Sequence, residues 1–144
     1  MSQYGTTTDL VNYGLPATAL GSLSATQQND ALVAASGVVD SYYGGRYALP
    51  LTAWDVPTTQ ATCKIAAWFL LSSTRGFNPA AGGDQAVRAG YEDAMRWLRD
   101  VQKQQAHPAV TPASNQIPNY NQPFVNSSSV VNVANGCTAT NRGW

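Results

Sequence analysis

Charge is what this 144-residue chain has least of. Charged residues make up 11% of it, with eight basic side chains balancing eight acidic ones, against roughly one quarter in ordinary soluble domains. A balance of that kind, with no basic block, excludes a general nucleic-acid binder, whose affinity comes from setting Lys and Arg against phosphates. Long apolar runs are missing too: the longest, Ile65 to Leu71, is far short of the roughly 20 residues that cross a bilayer. The opening Met1-Ser2-Gln3-Tyr4-Gly5 has neither the basic nor the apolar region of a secretory signal, so the expected location is cytoplasmic, with no membrane partner. Cys63 and Cys137 lie far apart with no histidine at ligand spacing, which argues against a metal site and leaves reduced thiols as the default.

Catalytic groupings are equally scarce. The single histidine, His107, precedes Pro108 with no acid or nucleophile close to it in sequence. Glu92 and Asp93 are adjacent, and on a helix adjacent side chains point about 100° apart, so they cannot act as a matched acid and base. The pairs Gly44-Gly45 and Gly82-Gly83 lack the Gly-Lys-Ser/Thr ending of a phosphate loop and the three-glycine pattern of a dinucleotide fold. No serine, cysteine or lysine stands in a nucleophile motif, so neither enzyme activity nor a cofactor is expected. A neutral surface with little charge suits a protein covered by neighbours in use, since charge is what keeps isolated monomers soluble.

What is present is helix. Thr6-Thr7-Thr8-Asp9 followed by Leu10, Val11 and Tyr13 reads as a capped two-turn helix ended by Gly14 and Pro16. Ser24-Ala25-Thr26-Gln27 has the form of a capping box. Behind it Ala31, Leu32, Ala35, Val38, Val39 and Tyr42 repeat at the spacing of one helical face, predicting a helix over 24–43 with Asp30 and Asp40 solvated. Asp55-Val56-Pro57-Thr58 marks a third start, with Asp55 or Thr58 as cap, and the residues from Ala61 to Leu71 are apolar nearly all round, as in a helix central to its domain. Cys63 within it reads as a small buried hydrophobe. Ser72 to Gly83 has the composition of a loop, and Asp84 is the expected cap of a fourth helix. The buried stripe of that helix is Val87, Tyr91, Ala94, Met95, Leu98 and Val101; Glu92–Arg96 and Arg96–Asp100 are expected as surface ion pairs, and Trp97 sits beside the stripe, half exposed, as an interface anchor does.

Two segments remain. The connector Ser41-Tyr42-Tyr43-Gly44-Gly45-Arg46-Tyr47-Ala48-Leu49-Pro50-Leu51 is too apolar for a solvent loop. Its glycines are expected to end the preceding helix through positive φ, and Pro50 to hold Leu49 extended. Tyr47, Leu49 and Leu51 either plug their own core or face a neighbour, and the two roles can coexist. From Ala106 onward one charge, Arg142, remains among Pro108, Pro112, Pro118, Pro123 and seven asparagines, which excludes helix over most of the stretch and leaves too little apolar sequence for a second core. Within it Val130, Val131 and Val133 are β-prone, and the sequence closes on Arg142-Gly143-Trp144; the stretch reads either as a loose, frayed extension or as an arm that adds a strand to another subunit and buries its aromatic end there. The expected organisation is therefore an all-α bundle of about four helices over residues 1–105 and a long extended C-terminal arm over 106–144.

Tyr4 with Thr8-Asp9-Leu10-Val11, then Val39-Asp40-Ser41-Tyr42, Gly45-Arg46-Tyr47-Ala48-Leu49-Pro50-Leu51, Val56-Pro57 and Tyr91-Glu92-Asp93-Ala94-Met95-Arg96-Trp97-Leu98, in that order, give the chain a pattern that resembles the Mu-like family of phage head-tail joining proteins. The likeness covers roughly residues 4 to 103. It implies a helical adaptor that forms a dodecameric ring below the portal protein, extends the channel through which genomic DNA passes without sequence-specific binding, and joins head to tail through a tail-completion or stopper protein. On this resemblance the protein is expected in the virion neck, assembled in the host bacterial cytoplasm. Gly45, Arg46, Tyr47, Leu49, Pro50, Leu51 and Trp97, with the arm residues Val130, Val131, Val133, Arg142 and Trp144, are the expected subunit or portal contacts, and Arg46 and the charges of the fourth helix are candidates to line the channel. The alternatives are a stopper or tail-completion ring of the same neck, or a small non-enzymatic cytoplasmic binding module, monomeric or dimeric, which a size measurement separates from a ring.

Overall fold

The computed structural model describes residues 2–114. Its first helix begins where Thr6 caps it: the Thr6 hydroxyl accepts the Asp9 N–H (3.2 Å) while the Asp9 carboxylate accepts the Thr6 N–H (2.9 Å), satisfying two donors that a helix start leaves bare. This helix, α1 (Thr7–Tyr13), buries Leu10 and stops at Gly14. A Cβ at Gly14 would stand 2.9 Å from the carbonyl oxygens of Cys63 and Leu10, so α1 and the helix behind it can approach this closely only with glycine there. A single turn, α2 (Ala17–Leu20), follows Pro16. Four residues are too few for periodicity to reveal, and the sequence pattern holds no sign of it.

α3 (Ala25–Tyr43) starts on the expected capping box, with the Ser24 hydroxyl accepting the Gln27 N–H (3.2 Å) and Gln27 Oε1 accepting the Ser24 N–H (2.9 Å). It buries Ala31, Leu32, Ala35, Ser36, Val39 and Tyr43. A short strand, β1 (Leu51–Ala53), leads to α4 (Val56–Leu70), capped by Asp55 with Pro57 in its first turn. Thr58, Ala61, Thr62, Cys63, Ile65, Ala66, Ala67 and Leu70 are all buried, because α4 lies between α3 and α5 (Gly82–Gln102) with α1 across it. An apolar sequence nearly all round the helix axis corresponds to that central position. Cys63 is fully buried, and its thiol is pushed up to about 12 by desolvation, with Asp9 adding to the shift. β2 (Thr111–Pro112) returns antiparallel to β1, pairing Ala53 with Thr111 and Leu51 with Pro112 across an irregularity in register. Among the described residues the architecture is thus mostly helical, with five α-helices and one two-stranded ribbon. No helix among the described residues is long and apolar enough to cross a membrane.

Four local expectations are corrected. Gly44 ends α3 with right-handed angles (φ −59°, ψ −24°), and positive φ among glycines occurs at Gly76 instead; α3 closes because the Tyr43 carbonyl accepts both the Arg46 and the Tyr47 N–H at 2.8 Å. Residues 72–75, read as the start of a loop, instead continue α4 within a π-helical turn, Leu71–Arg75, in which the Gly76 N–H reaches the Leu71 carbonyl five residues back (2.8 Å). Asp84 does not cap α5, whose N-cap is Ala81. It sits buried in the first turn, where its carboxylate accepts the Asn78 N–H (2.9 Å) and faces Arg75 (3.5 Å), so it ties down the preceding loop rather than the helix end. The α5 ion pairs are Arg88–Glu92 (3.0 Å) and Arg96–Asp93 (3.2 Å) rather than Glu92–Arg96 and Arg96–Asp100. Residues three and four apart are both neighbours on a helix, and Arg96 turns back one step rather than forward. Both pairs are exposed and contribute at most a few tenths of a kcal/mol each.

Candidate functional site

The connector folds back on its own chain. The Arg46 guanidinium donates to the carbonyls of Val101 (3.0 Å) and Ala106 (2.7 Å), meets His107 Nδ1, and lies 5.1 Å from the centre of the Tyr47 ring. A planar fork of donors at the end of α5 joins a carbonyl of its last turn, Val101, which also accepts the Gln104 N–H, to the Ala106 carbonyl beyond the helix, and its positive charge suits the negative end of the helix dipole. Tyr47 packs edge-on against Tyr43 (5.5 Å), Leu49 is partly buried against the core and Leu51 is buried within it, while Gly45 and Pro50 stay exposed. A Cβ on Gly45 meets nothing within 4 Å. The connector therefore grips residues 101–107 with one side chain and fills the core with three others.

A second clamp stands beside it. Asp55 Oδ1 accepts the Thr58 N–H (3.1 Å) and the Thr58 hydroxyl (2.6 Å), while its other oxygen accepts the Ala109 N–H (2.9 Å). Thr58 in turn meets the Tyr43 hydroxyl at 2.9 Å in the buried interior, so a polar chain runs from the end of α3 through the start of α4 to Ala109. Next along, the Thr52 hydroxyl donates to the Thr111 carbonyl (3.1 Å) and the Ala113 N–H to the Pro50 carbonyl (3.1 Å). Arg46, Asp55, β1 and Pro50 in succession thus fix residues 106–113, and the chain leaves the described structure at the connector. Among the expected contact residues, Gly45 to Leu51 are brought together here. Trp97 is half-buried on α5 against the core, and Val130, Val131, Val133, Arg142 and Trp144 lie outside the described residues.

Several anchoring contacts carried no local signal in the sequence. Tyr4 is fully buried, its N–H donating to Ser36 Oγ (3.0 Å), its hydroxyl to Asp40 Oδ1, and its ring standing edge-on to Trp54 (5.0 Å). Asp40 is therefore not a solvated position. Only the tertiary fold places Tyr4, thirty-six residues earlier, over it. Burial pushes the Asp40 carboxyl above its ordinary value of 3.8, outweighing the Tyr4 hydroxyl that favours the charged form. A raised folded-state pKa means the native state holds its proton more tightly than the unfolded chain. This contribution to stability is therefore full below pH 3.8 and is lost as pH rises through the folded value. Asp40→Asn is accordingly expected to gain on the wild type as pH rises from 4 to 7, read as the difference between their urea midpoints at each pH; a difference that does not change with pH would refute the assignment.

Among the described residues no three His, Cys, Asp or Glu side chains gather as a metal site does. The described surface offers shallow hollows between helices, of about 250 to 450 Å³, lined by mixed apolar and polar side chains. What the arrangement offers is contact surface and a fixed exit for the C-terminal residues.

The chain is similar to gene product J of Escherichia phage Mu, 32% identical over 96 residues that cover 66% of this chain and 62% of that protein. It is also similar to the Mu-like prophage FluMu protein gp36 of Haemophilus influenzae, 39% identical over 80 residues, 56% of this chain and 51% of the relative. Each likeness thus spans less than two thirds of the relative's length. A family match extends over residues 4–127, from the buried Tyr4 through both clamps and thirteen residues past Ser114. Matched across nearly the whole fold, the chain belongs to the Bacteriophage Mu Gp36 family.

Proposed function

We propose that the protein is a structural head-tail connector of the phage neck: an adaptor, without enzymatic activity, that forms a homo-oligomeric ring, a dodecamer by the resemblance, below the portal. Its partners in this reading are the portal protein, a tail-completion or stopper protein and its own copies, with genomic DNA passing through the channel unread. The observation that carries the reading is the family match over residues 4–127, which contains both the Gly45–Leu51 and the Tyr91–Leu98 runs by which the sequence resembles head-tail joining proteins. The surface is compatible with such a role. Val11, Tyr13, Val33, Trp54 and Val56 are exposed large apolar side chains on a chain poor in charge, and neighbours in a ring can cover them. Because Arg46, Leu49 and Leu51 are engaged internally, they shape the contact, whereas Gly45, Pro50 and Trp97 have surface left for a neighbour.

The test mixes the full chain with portal rings of the same phage. Co-migration of the two, with the chain as a ring on the portal in electron micrographs, is the expected result. Deletion of residues 125–144 is expected to preserve the helical circular dichroism and abolish portal binding. Virions that join heads to tails normally without the protein overturn the connector reading.

A further inference from the structure

We propose that the clamp on residues 106–113 is a proton-sensitive catch: with His107 neutral, Arg46 holds the segment to the connector, and with His107 protonated it lets the segment go. A guanidinium is permanently charged and carries donors only. The atoms it bonds at this corner must therefore be acceptors, and they are the Val101 carbonyl (3.0 Å), the Ala106 carbonyl (2.7 Å) and His107 Nδ1. Because Nδ1 has to offer a lone pair, the contact fixes the imidazole as the neutral form with its proton on Nε2. The two carbonyls cannot titrate. The ring can, since an imidazole gains its second proton between roughly pH 5 and 8, and that proton takes the lone pair Arg46 uses. One bond of the three is then lost and two cations are left face to face.

Among the described residues no carboxylate in contact with the ring offsets that charge. The charged and titratable side chains of the elements meeting here are Arg46 and Tyr47 in the connector, Asp55 at the start of α4, and Arg99, Asp100 and Lys103 around the end of α5. Tyr43 of α3 turns inward to Thr58, and the two strands bring no charge. Asp55 has both oxygens engaged, by Thr58 and by Ala109. None of the ion pairs among the described residues includes His107. The backbone leading to the ring is strained as well. Gln104 has φ 63°, a left-handed conformation that is costly for any residue with a Cβ. It is held because the Gln105 and Ala106 N–H groups both reach the Asp100 carbonyl (2.8 and 3.1 Å), a reversal that brings His107 to Arg46. A reversal kept at a cost opens more readily once an outer tie weakens. His107 is exposed, so the proton has free access, and the stretch it frees carries the Ala109 and Ala113 bonds that set where the chain leaves the described fold.

The proposal does not rest on the connector reading, and its test needs no portal. Amide hydrogen exchange is measured on the full chain from about pH 7.5 to about pH 5.5, each rate taken relative to that of the same amide in an unstructured chain at the same pH. Protection at Ala109 and Ala113 is expected to fall about fivefold on acidification, while that of α4 is unchanged. His107→Asn keeps an acceptor oxygen bonded to Cγ, where Nδ1 stands, and cannot gain the proton, so its step is expected to vanish. Arg46→Ala, with no cation to meet the ring, is expected to show no step either. Equal protection at both pH values in the wild-type chain overturns the catch, and so does a fall shared by α4, which marks a loss of global stability. A step that persists in His107→Asn or in Arg46→Ala assigns the response to another group, such as Asp55, and overturns it equally.

Discussion

Replacing Ile65 by alanine is expected to lower the unfolding free energy by about 3 kcal/mol, within the ~2–5 kcal/mol range for truncating a buried Ile. Ile65 has no exposed surface and lies on α4, which has α3 and α5 on either side and α1 across it. Walls held by three different helices cannot all relax into the space left behind, so the cavity term adds to the lost transfer energy. Val56→Ala at the exposed start of the same helix is expected to change stability by less than about 0.5 kcal/mol. Urea unfolding followed by circular dichroism measures both. A cost below about 1 kcal/mol for Ile65→Ala would place α4 at the edge of the fold, contrary to its position here.

Arg46→Ala is expected to free residues 106–113 while leaving the helical body intact. The substitution removes two bonds from a charged donor to the Val101 and Ala106 carbonyls and the contact with His107. Hydrogen bonds to charged groups contribute about 1.5–3 kcal/mol, and since Arg46 is only half-buried the lower end, about 1.5 kcal/mol, applies. Local release is the larger sign. The amide hydrogens of Ala109 and Ala113, held by Asp55 and Pro50, are expected to exchange at least about tenfold faster, whereas those of α4 keep their protection. Arg46→Lys is not expected to restore it, since an ammonium offers no planar fork to two carbonyls at once. Unchanged exchange at Ala109 and Ala113 shows that Asp55 and β1 hold the segment without Arg46. If ring assembly then fails while exchange is unchanged, Arg46 acts at a neighbour and not within its own chain.

Reading the sequence along the chain located α1, α3 and α4 because their start signals are local, and α5 by its buried stripe. Thr6 with Asp9, Ser24 with Gln27, and Asp55 with Thr58 are each three residues apart, a separation that helical geometry closes whatever the rest of the protein does. The buried stripes of α3 and α5 and the continuous burial of α4 were legible for the same reason. Reading failed where a residue's partner is distant. Asp40 looked solvated until Tyr4 lay over it, Asp84 looked like a helix cap until residues 76–81 folded across it, and Arg46 looked available to a neighbour until Val101 and Ala106 came within its reach.

The sequence by itself determined that this is a charge-poor, mostly helical protein with its most apolar helix at the centre, and it carried the pattern of the phage family to which the chain belongs. Helix periodicity and capping act over three or four residues, and composition needs no contacts at all. Only the tertiary structure decided what the connector does. Arg46 reaches 55 and 60 residues along the chain to Val101 and Ala106, and Asp55 reaches 54 to Ala109. Contacts at such separation exist only once the packing of α3, α4 and α5 has brought both ends of the bundle to one corner.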